Sequence, residues 1–192
     1  MLQFTRAKFR KQGLGVPKTF CAGFYTTSLE LQKRIVAAGY TASAAAFPPG
    51  IEIGAQYAPS WHELSGWDKS VSVRSAPYRV AQKTILPTGS APFIKAADGQ
   101  PLVEIPQNAK IDWMVSAGGM KRIIGLHVEK AKAGQPTAVC LAIHKGSAHE
   151  QFKKYDEVLD HVDRLIRKNK AVTFRYATVS AVRYQFLRLW QK

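Results

Sequence analysis

The sequence predicts an α/β fold in which most strands run parallel. Short apolar runs alternate along the chain with segments of helical periodicity, which is the pattern that βαβ connections produce. The composition, 46% hydrophobic and 21% charged over 192 residues, is that of an ordinary globular chain of one domain or a little more. These observations exclude long disordered, collagenous and disulfide-scaffold proteins.

The predicted strands are apolar runs bounded by glycine, proline or charged residues. The clearest covers 138–143, six apolar residues that lie between Pro136 and His144. Further strands are predicted over 19–22, 40–47, 78–80, 84–86, 102–105 and 171–174. Residues 50–76 lack such a pattern and are predicted to form a long loop, a kind of segment that is often functional in compact domains.

The predicted helices rest on capping residues and on apolar residues at 3/4 spacing. Ser28 offers an N-cap and Gly39 a C-terminal stop for the first of them. The clearest helix has an apolar stripe along its length and basic residues in its last turn, as the helix dipole favours. Together the predicted helices cover 28–38, 118–132, 150–168 and a segment that begins at Thr178.

Most of the net charge of +15 lies at the two ends of the chain. Residues 1–18 carry five basic residues and no acid, and residues 164–192 carry eight basic residues and no acid. Such ends could bind a polyanion, or they could be solvated helix ends. Because no zinc finger, convincing helix-turn-helix or stacking strand is present, we expect no specific nucleic-acid partner.

Targeting and redox signals are weak. No stretch reaches the roughly 18 apolar residues of a membrane span. The charged first 12 residues have no apolar segment behind them, so we expect no signal peptide and a cytoplasmic location. Two cysteines, Cys21 and Cys140, are too few for a disulfide framework and form no metal-type pair.

Functional residues in a parallel α/β fold lie at the carboxyl ends of the strands. This rule predicts that four segments share one rim of the sheet: 23–25, 106–108, 144–147 and 175–178. His144 is the strongest candidate, since it directly follows a buried strand and precedes a flexible Lys-Gly-Ser loop, a good position for proton transfer. The alternative is a loop histidine bonded to backbone.

Other catalytic motifs are either absent from the sequence or open to more than one interpretation. The chain holds no H-x-x-x-H, H-E-x-x-H or G-x-S-x-G motif and no P-loop. Glu104, at a strand end, and Asp112, in the following loop, could be the paired acids of a glycosidase, or they could be solvated or capping carboxylates.

Several short motifs occur in a fixed order along the chain. Thr19-Phe-Cys-Ala-Gly-Phe-Tyr25 precedes a helix that ends in Ala-Ala-Gly-Tyr40, and Leu102-Val-Glu-Ile-Pro106 and Leu141-Ala-Ile-His144 follow. The closing motifs cover 154–156, 172–174 and 178–180. In this order they resemble the polysaccharide deacetylase family (carbohydrate esterase family four), over roughly residues 13–185.

The resemblance implies a partial or distorted (β/α) barrel of the glycoside hydrolase/deacetylase type. Members of this family remove acetyl groups from polysaccharides with a divalent metal, usually zinc, held by one Asp and two His. By motif match His144 would be the general acid, and a backbone N–H near Phe24 would hold the oxyanion. The implied partner is a polysaccharide or oligosaccharide.

The departures from the family concern its base and its metal ligands. The family's T-F-D-D and H-x-x-x-H segments lie upstream of the Phe-Cys-Ala-Gly motif, and the 18 residues before that motif hold neither Asp nor His. We therefore expect a basic segment over 1–18, an incomplete domain over 19–192 that lacks the first strands of the barrel, no bound cofactor, and no activity alone. Unpaired sheet edges would then pair with a second copy or with a separate segment carrying the missing strands.

Two other functions remain open from the sequence. The chain could be a non-catalytic carbohydrate-binding module in which Trp61, Trp67 and Tyr57 stack on sugar rings, although these side chains could instead pack the loop. It could also be a basic protein that binds a polyanion.

Overall fold

A four-stranded mixed sheet lies at the centre of the computed structural model, which describes residues 2–49, 66–109, 112–144, 146 and 148–189. The sheet order is β1-β2-β4-β3. The first three strands in this order are parallel, and β3 runs antiparallel to β4. The strands are β1 (Thr19–Phe20), β2 (Ala42–Ser43), β3 (Tyr78–Arg79) and β4 (Val103–Glu104).

Five α-helices accompany this sheet in the described part of the chain, and four of them were predicted. Local capping fixes where they begin: Leu31 N–H donates to Ser28 Oγ, and Gly119 N–H donates to Ser116 Oγ. The helix at the N-terminus was not predicted, and none of the described helices is long and apolar enough to cross a membrane. The helices are α1 (Leu2–Lys11), α2 (Leu29–Ala37), α3 (Ala117–Lys132), α4 (Ala148–Lys168) and α5 (Val179–Leu189).

Helices cover both faces of the sheet. Successive residues of a strand point to opposite faces, so Ser43 and Glu104 share one face, where Gln32 of α2 donates to both side chains. On the opposite face Phe186 of α5 packs in an apolar cluster with buried residues of β2, β4 and the position after β4. The larger core, which includes the fully buried Ile123 of α3 and Val158 of α4, forms a second cluster beyond the sheet.

Three predicted strands are absent. Residues 84–86 and 171–174 are irregular, and among residues 138–143 only Ala142 makes a bridge. A strand needs a partner, and here the N–H of Cys140 donates instead to the side-chain Oδ1 of Asn108 at 2.9 Å. The protein therefore has helices and strands as the α/β prediction requires, but its sheet is smaller than predicted. The barrel stays a prediction.

Candidate functional site at the carboxyl edge of the sheet

Three of the four segments predicted to share a rim come together. Since β1 and β4 both run parallel to β2, the residues after them leave the sheet at the same edge. Cys140 joins this edge through two contacts: its Sγ lies 3.1 Å from Gln107 Oε1, and its N–H donates to Asn108 Oδ1. The segment that ends at His144 is thereby fixed beside the loop after β4.

The predicted fourth segment, 175–178, does not belong to this site. The Tyr176 hydroxyl donates to Asp163 Oδ1 at 2.8 Å, near the C-terminal end of α4. His144 lies just before the N-terminal end of the same helix, and 15 residues of α-helix separate these positions by roughly 22 Å. The prediction that 175–178 shares the rim is therefore wrong.

His144 is exposed at the rim, and its backbone is held by a buried carboxylate. The N–H of His144 donates to Asp112 Oδ1 at 3.2 Å, and the N–H of Asp112 donates to Ala142 O at 3.2 Å. Gly146 N–H donates to His144 Nδ1 at 3.2 Å. Since Nδ1 accepts this bond, the neutral imidazole carries its proton on Nε2.

Helix α4 fixes the loops on either side of His144. The Lys154 ammonium donates to the carbonyl oxygens of Asp112 and Val115, and the Tyr155 hydroxyl donates to the carbonyl of Ala142. Burial, with the nearby Asp112 carboxylate, raises the pKa of Tyr155, so its hydroxyl remains a donor at neutral pH. The backbone around His144 is thus positioned by a helix.

A strained turn forms the opposite side of the rim. Phe24 and Tyr25 have φ values of 52° and 54°, a left-handed conformation that costs of order 1–3 kcal/mol for a non-glycine residue. The surrounding structure holds this turn in place: Trp67 Nε1 donates to Tyr25 O at 2.8 Å, and the Tyr25 ring stacks on Phe47 with 4.5 Å between ring centroids. The Phe24 side chain points outward and is 74% exposed, and its backbone role in oxyanion binding stays a prediction.

Trp67, one of the three aromatic residues predicted to bind sugar, does not form part of the exposed surface of the rim. Trp67 is only 6% exposed and supports the turn from inside, so we assign it to packing and correct the sugar-stacking prediction for this residue. Trp61 and Tyr57 lie outside the described residues.

Three other apolar side chains are exposed in segments close to the site in sequence, and the sequence predicted none of these exposures, although it named the Phe24 backbone for the oxyanion. They are Phe24, Ile143 beside His144, and Phe152 in the first half of α4, with 74%, 47% and 66% exposure. Phe152 is one of the apolar residues at 3/4 spacing along α4, and this spacing predicted that its side chain would be buried. Only the position of α3, which covers the other end of that series, could have shown that Phe152 stays exposed.

Glu104 and Asp112 are both fully buried, so they are neither a glycosidase pair nor solvated carboxylates. Both accept backbone N–H groups, which is closer to the capping carboxylates that were the other alternative from the sequence. Glu104 Oε1 accepts the N–H groups of Ala45 and Ala46 at 2.7 and 2.8 Å, and its Oε2 accepts from Gln32 Nε2 at 3.3 Å. Burial raises the pKa of Glu104 to about 7, although these hydrogen bonds and one from Ser43 oppose the rise. A carboxyl group enclosed in this way holds β2 and α2 to β4 and cannot reach a substrate.

The remaining titratable groups near the edge favour no second catalytic chemistry. Burial raises the pKa of Cys140 to about 11, so its thiol is not an activated nucleophile. His127 is buried, its Nε2 lies 2.8 Å from Val73 O, and burial lowers its pKa, so it is a neutral structural residue. Among the described residues no group of three or more His, Cys, Asp or Glu could hold a metal ion.

Comparison with known proteins returns no matching family model, no matching curated protein and no matching solved structure. The chemistry of the site must therefore be argued from its own geometry. As the neutral tautomer, the exposed imidazole can donate a hydrogen bond from Nε2–H to an anion. To donate a proton to a leaving group it must first become the imidazolium, whose Nδ1–H no longer accepts from Gly146 N–H, while the buried groups around it fix its backbone.

Proposed function

We propose that this chain is a polysaccharide deacetylase-like hydrolase domain that supplies the general acid, His144, and releases no acetate by itself. The observation that carries the proposal is the geometry at His144: its imidazole is exposed at the carboxyl edge of the parallel strands, and its backbone N–H donates to Oδ1 of the buried Asp112. A general acid must meet solvent and substrate while its backbone stays fixed, and these contacts meet both requirements.

Exposed apolar side chains in the segments that follow β1 and His144 support a carbohydrate substrate. Phe24 and Phe152 are aromatic, and the apolar face of a sugar ring packs on such rings. His144 would protonate the leaving amine or alcohol as the acetyl–oxygen or acetyl–nitrogen bond breaks. General acid catalysis contributes only about 10²–10⁴-fold, so turnover would need a base and a metal from another polypeptide.

Acetate release from an N-acetylated chitooligosaccharide tests this proposal. The full chain is assayed alone, with zinc, and with zinc plus a separately expressed segment that carries a T-F-D-D and an H-x-x-x-H motif. We expect acetate only in the third assay. Acetate release by the chain alone, with or without zinc, would contradict the proposal.

A matched pair of variants identifies the acid in that third assay. His144→Ala should lower the rate by about 10²-fold or more, because it removes the proton donor. His149→Ala, at a nearby exposed histidine whose side chain is 79% accessible, should leave the rate unchanged. Equal rates for His144→Ala and the unaltered chain would exclude His144 as the acid, as would a third assay without acetate.

A second candidate function, non-catalytic carbohydrate binding, is favoured by the same exposed rings. In that case Phe152→Ala should weaken binding of the chitooligosaccharide in isothermal titration calorimetry, while His144→Ala leaves binding unchanged. The sequence-based version of this candidate, with Trp61 as the stacking residue, is tested in the same titration by Trp61→Ala.

A further inference from the structure

Helix α1 is attached to the rest of the protein along one side. Leu2, Thr5 and Arg6 on this side are half-buried. The Arg6 guanidinium donates to the carbonyl of Ala38 at the end of α2, and it lies 5.3 Å from the centroid of the Tyr40 ring. Arg6 therefore attaches the helix on this side, and the opposite side faces solvent.

The solvent-facing side of α1 combines apolar and basic side chains. Phe4, Lys8 and Lys11 lie at i, i+4 and i+7, so they share one face, and Phe4 is 64% exposed. The Lys8 ammonium lies 5.5 Å from the centroid of the Phe4 ring. Leu14, just beyond the helix, is 71% exposed. We call these four residues the outer face of α1.

No acidic residue balances this charge locally. Residues 1–18 contain no Asp or Glu, and in the described part of the chain none of the ion pairs reaches α1. A shallow cleft of about 310 Å³ lies between α1 and the end of α2. Its lining includes Gln3, Arg6 and Arg10 and no acid, so it is a suitable place for an anionic group such as a phosphate.

We propose that the outer face of α1 binds the surface of an anionic phospholipid membrane. Phe4 and Leu14 enter the interface between headgroups and acyl chains, Lys8 and Lys11 lie at the level of the lipid phosphates, and Arg10 faces a headgroup in the cleft. A basic helix with exposed apolar side chains is typical of such interfacial binding. Nucleic acid would match the charge but would gain little from Leu14, and so the lipid surface is favoured.

Co-sedimentation of the full chain with vesicles tests this proposal. The vesicles contain either phosphatidylcholine alone or phosphatidylcholine with 30% phosphatidylserine, a composition we choose for strong negative charge. We expect binding to the second kind only, with an affinity that falls as salt is raised. Equal binding to both kinds, or binding to neither, would overturn the proposal.

Variants of the outer face separate specific docking from general basicity. Lys8→Gln with Lys11→Gln should weaken binding roughly 20-fold, since each basic residue at an anionic surface contributes about a fivefold effect. The matched control, Lys168→Gln with Lys170→Gln, removes the same charge from exposed positions elsewhere and should change affinity less than twofold. An equal loss in the control would contradict docking through α1.

The apolar side chain distinguishes a membrane from a nucleic acid. Phe4→Ala should weaken vesicle binding several-fold without altering its dependence on salt. A mixed-sequence oligonucleotide, duplex or single-stranded, at the same salt should bind more weakly than the phosphatidylserine vesicles. Tighter binding of the oligonucleotide, with Phe4→Ala vesicle binding unchanged, would replace the membrane with nucleic acid as the partner.

Discussion

Glu104 and His144 both end segments that the sequence predicts as strands, and both are acid–base groups, yet their surroundings differ. Glu104 is fully buried, and its two carboxyl oxygens accept hydrogen bonds from two backbone N–H groups and from α2. The His144 imidazole is exposed, and it is the backbone N–H of this residue that donates to the buried Asp112. The comparison teaches that a strand-end position alone does not identify a catalytic group: accessibility of the titrating atoms decides.

Among the substitutions that test this comparison, Glu104→Ala is expected to change the free energy of unfolding most. The change leaves the N–H groups of Ala45 and Ala46 buried without their acceptor, and each such group costs about 1–3 kcal/mol. Urea unfolding followed by circular dichroism should show a loss of about 3–5 kcal/mol, or no folding at all. A loss below about 1 kcal/mol would mean that Glu104 does not hold the sheet.

Glu104→Gln is the control that keeps the protein folded. Its amide oxygen can still accept from Ala45 and Ala46. The Gln32 side chain, whose Oε1 is buried and has no hydrogen-bond partner, can turn its amide so that this oxygen accepts from the new amide nitrogen. We expect Glu104→Gln to cost much less than Glu104→Ala in the same urea series.

The second-largest expected effect is the change in the free energy of unfolding with pH. Burial raises the pKa of Glu104 from its ordinary value of 4.5 to about 7 in the folded protein, so the folded state holds the proton more tightly than the unfolded state does. The contribution of Glu104 to the free energy of unfolding is fully present below pH 4.5. It falls as the pH rises to about 7 and stays low above that pH. The loss is about 3 kcal/mol for a shift of this size.

Urea unfolding at pH 5 and pH 8 measures this loss, with Glu104→Gln as the reference. The variant lacks the titrating group and keeps His127, whose lowered pKa costs stability as pH falls. The difference between the two proteins therefore isolates Glu104. If both proteins lose the same stability between pH 5 and pH 8, Glu104 does not titrate in this range.

The helices were predictable because their signals are local. Ser28 caps α2 as expected, since the capping hydroxyl and the N–H that donates to it lie three residues apart. The Glu104 network could not be predicted, because its donors lie 58 to 72 positions away along the chain. The same reason explains the failed strand at 138–143: an apolar run predicts burial, and the partner of Cys140 proved to be the side chain of Asn108.

The candidate site was predicted in part. The rule for carboxyl ends correctly brought the segments around Tyr25, Gln107 and His144 together, because parallel strands share that edge. It failed for Tyr176, which follows a segment that is not a strand. The rule also could not say that Trp67 would be inside the turn and Phe24 outside it.

The smallest expected effect belongs to His144→Ala. The imidazole is exposed, and its contact with Gly146 N–H can be replaced by water, so the free energy of unfolding should change by less than about 0.5 kcal/mol. His149→Ala, another exposed histidine close to the start of α4, is the matched control and should behave alike. A loss for His144→Ala that approached that of Glu104→Ala would make the imidazole a structural group, and the contrast between the enclosed carboxyl and the exposed rim would then be wrong. A small change in stability, combined with the loss of acetate release in the assay with the added segment, would assign the imidazole to chemistry, because a group that the fold does not need would then be needed by the reaction.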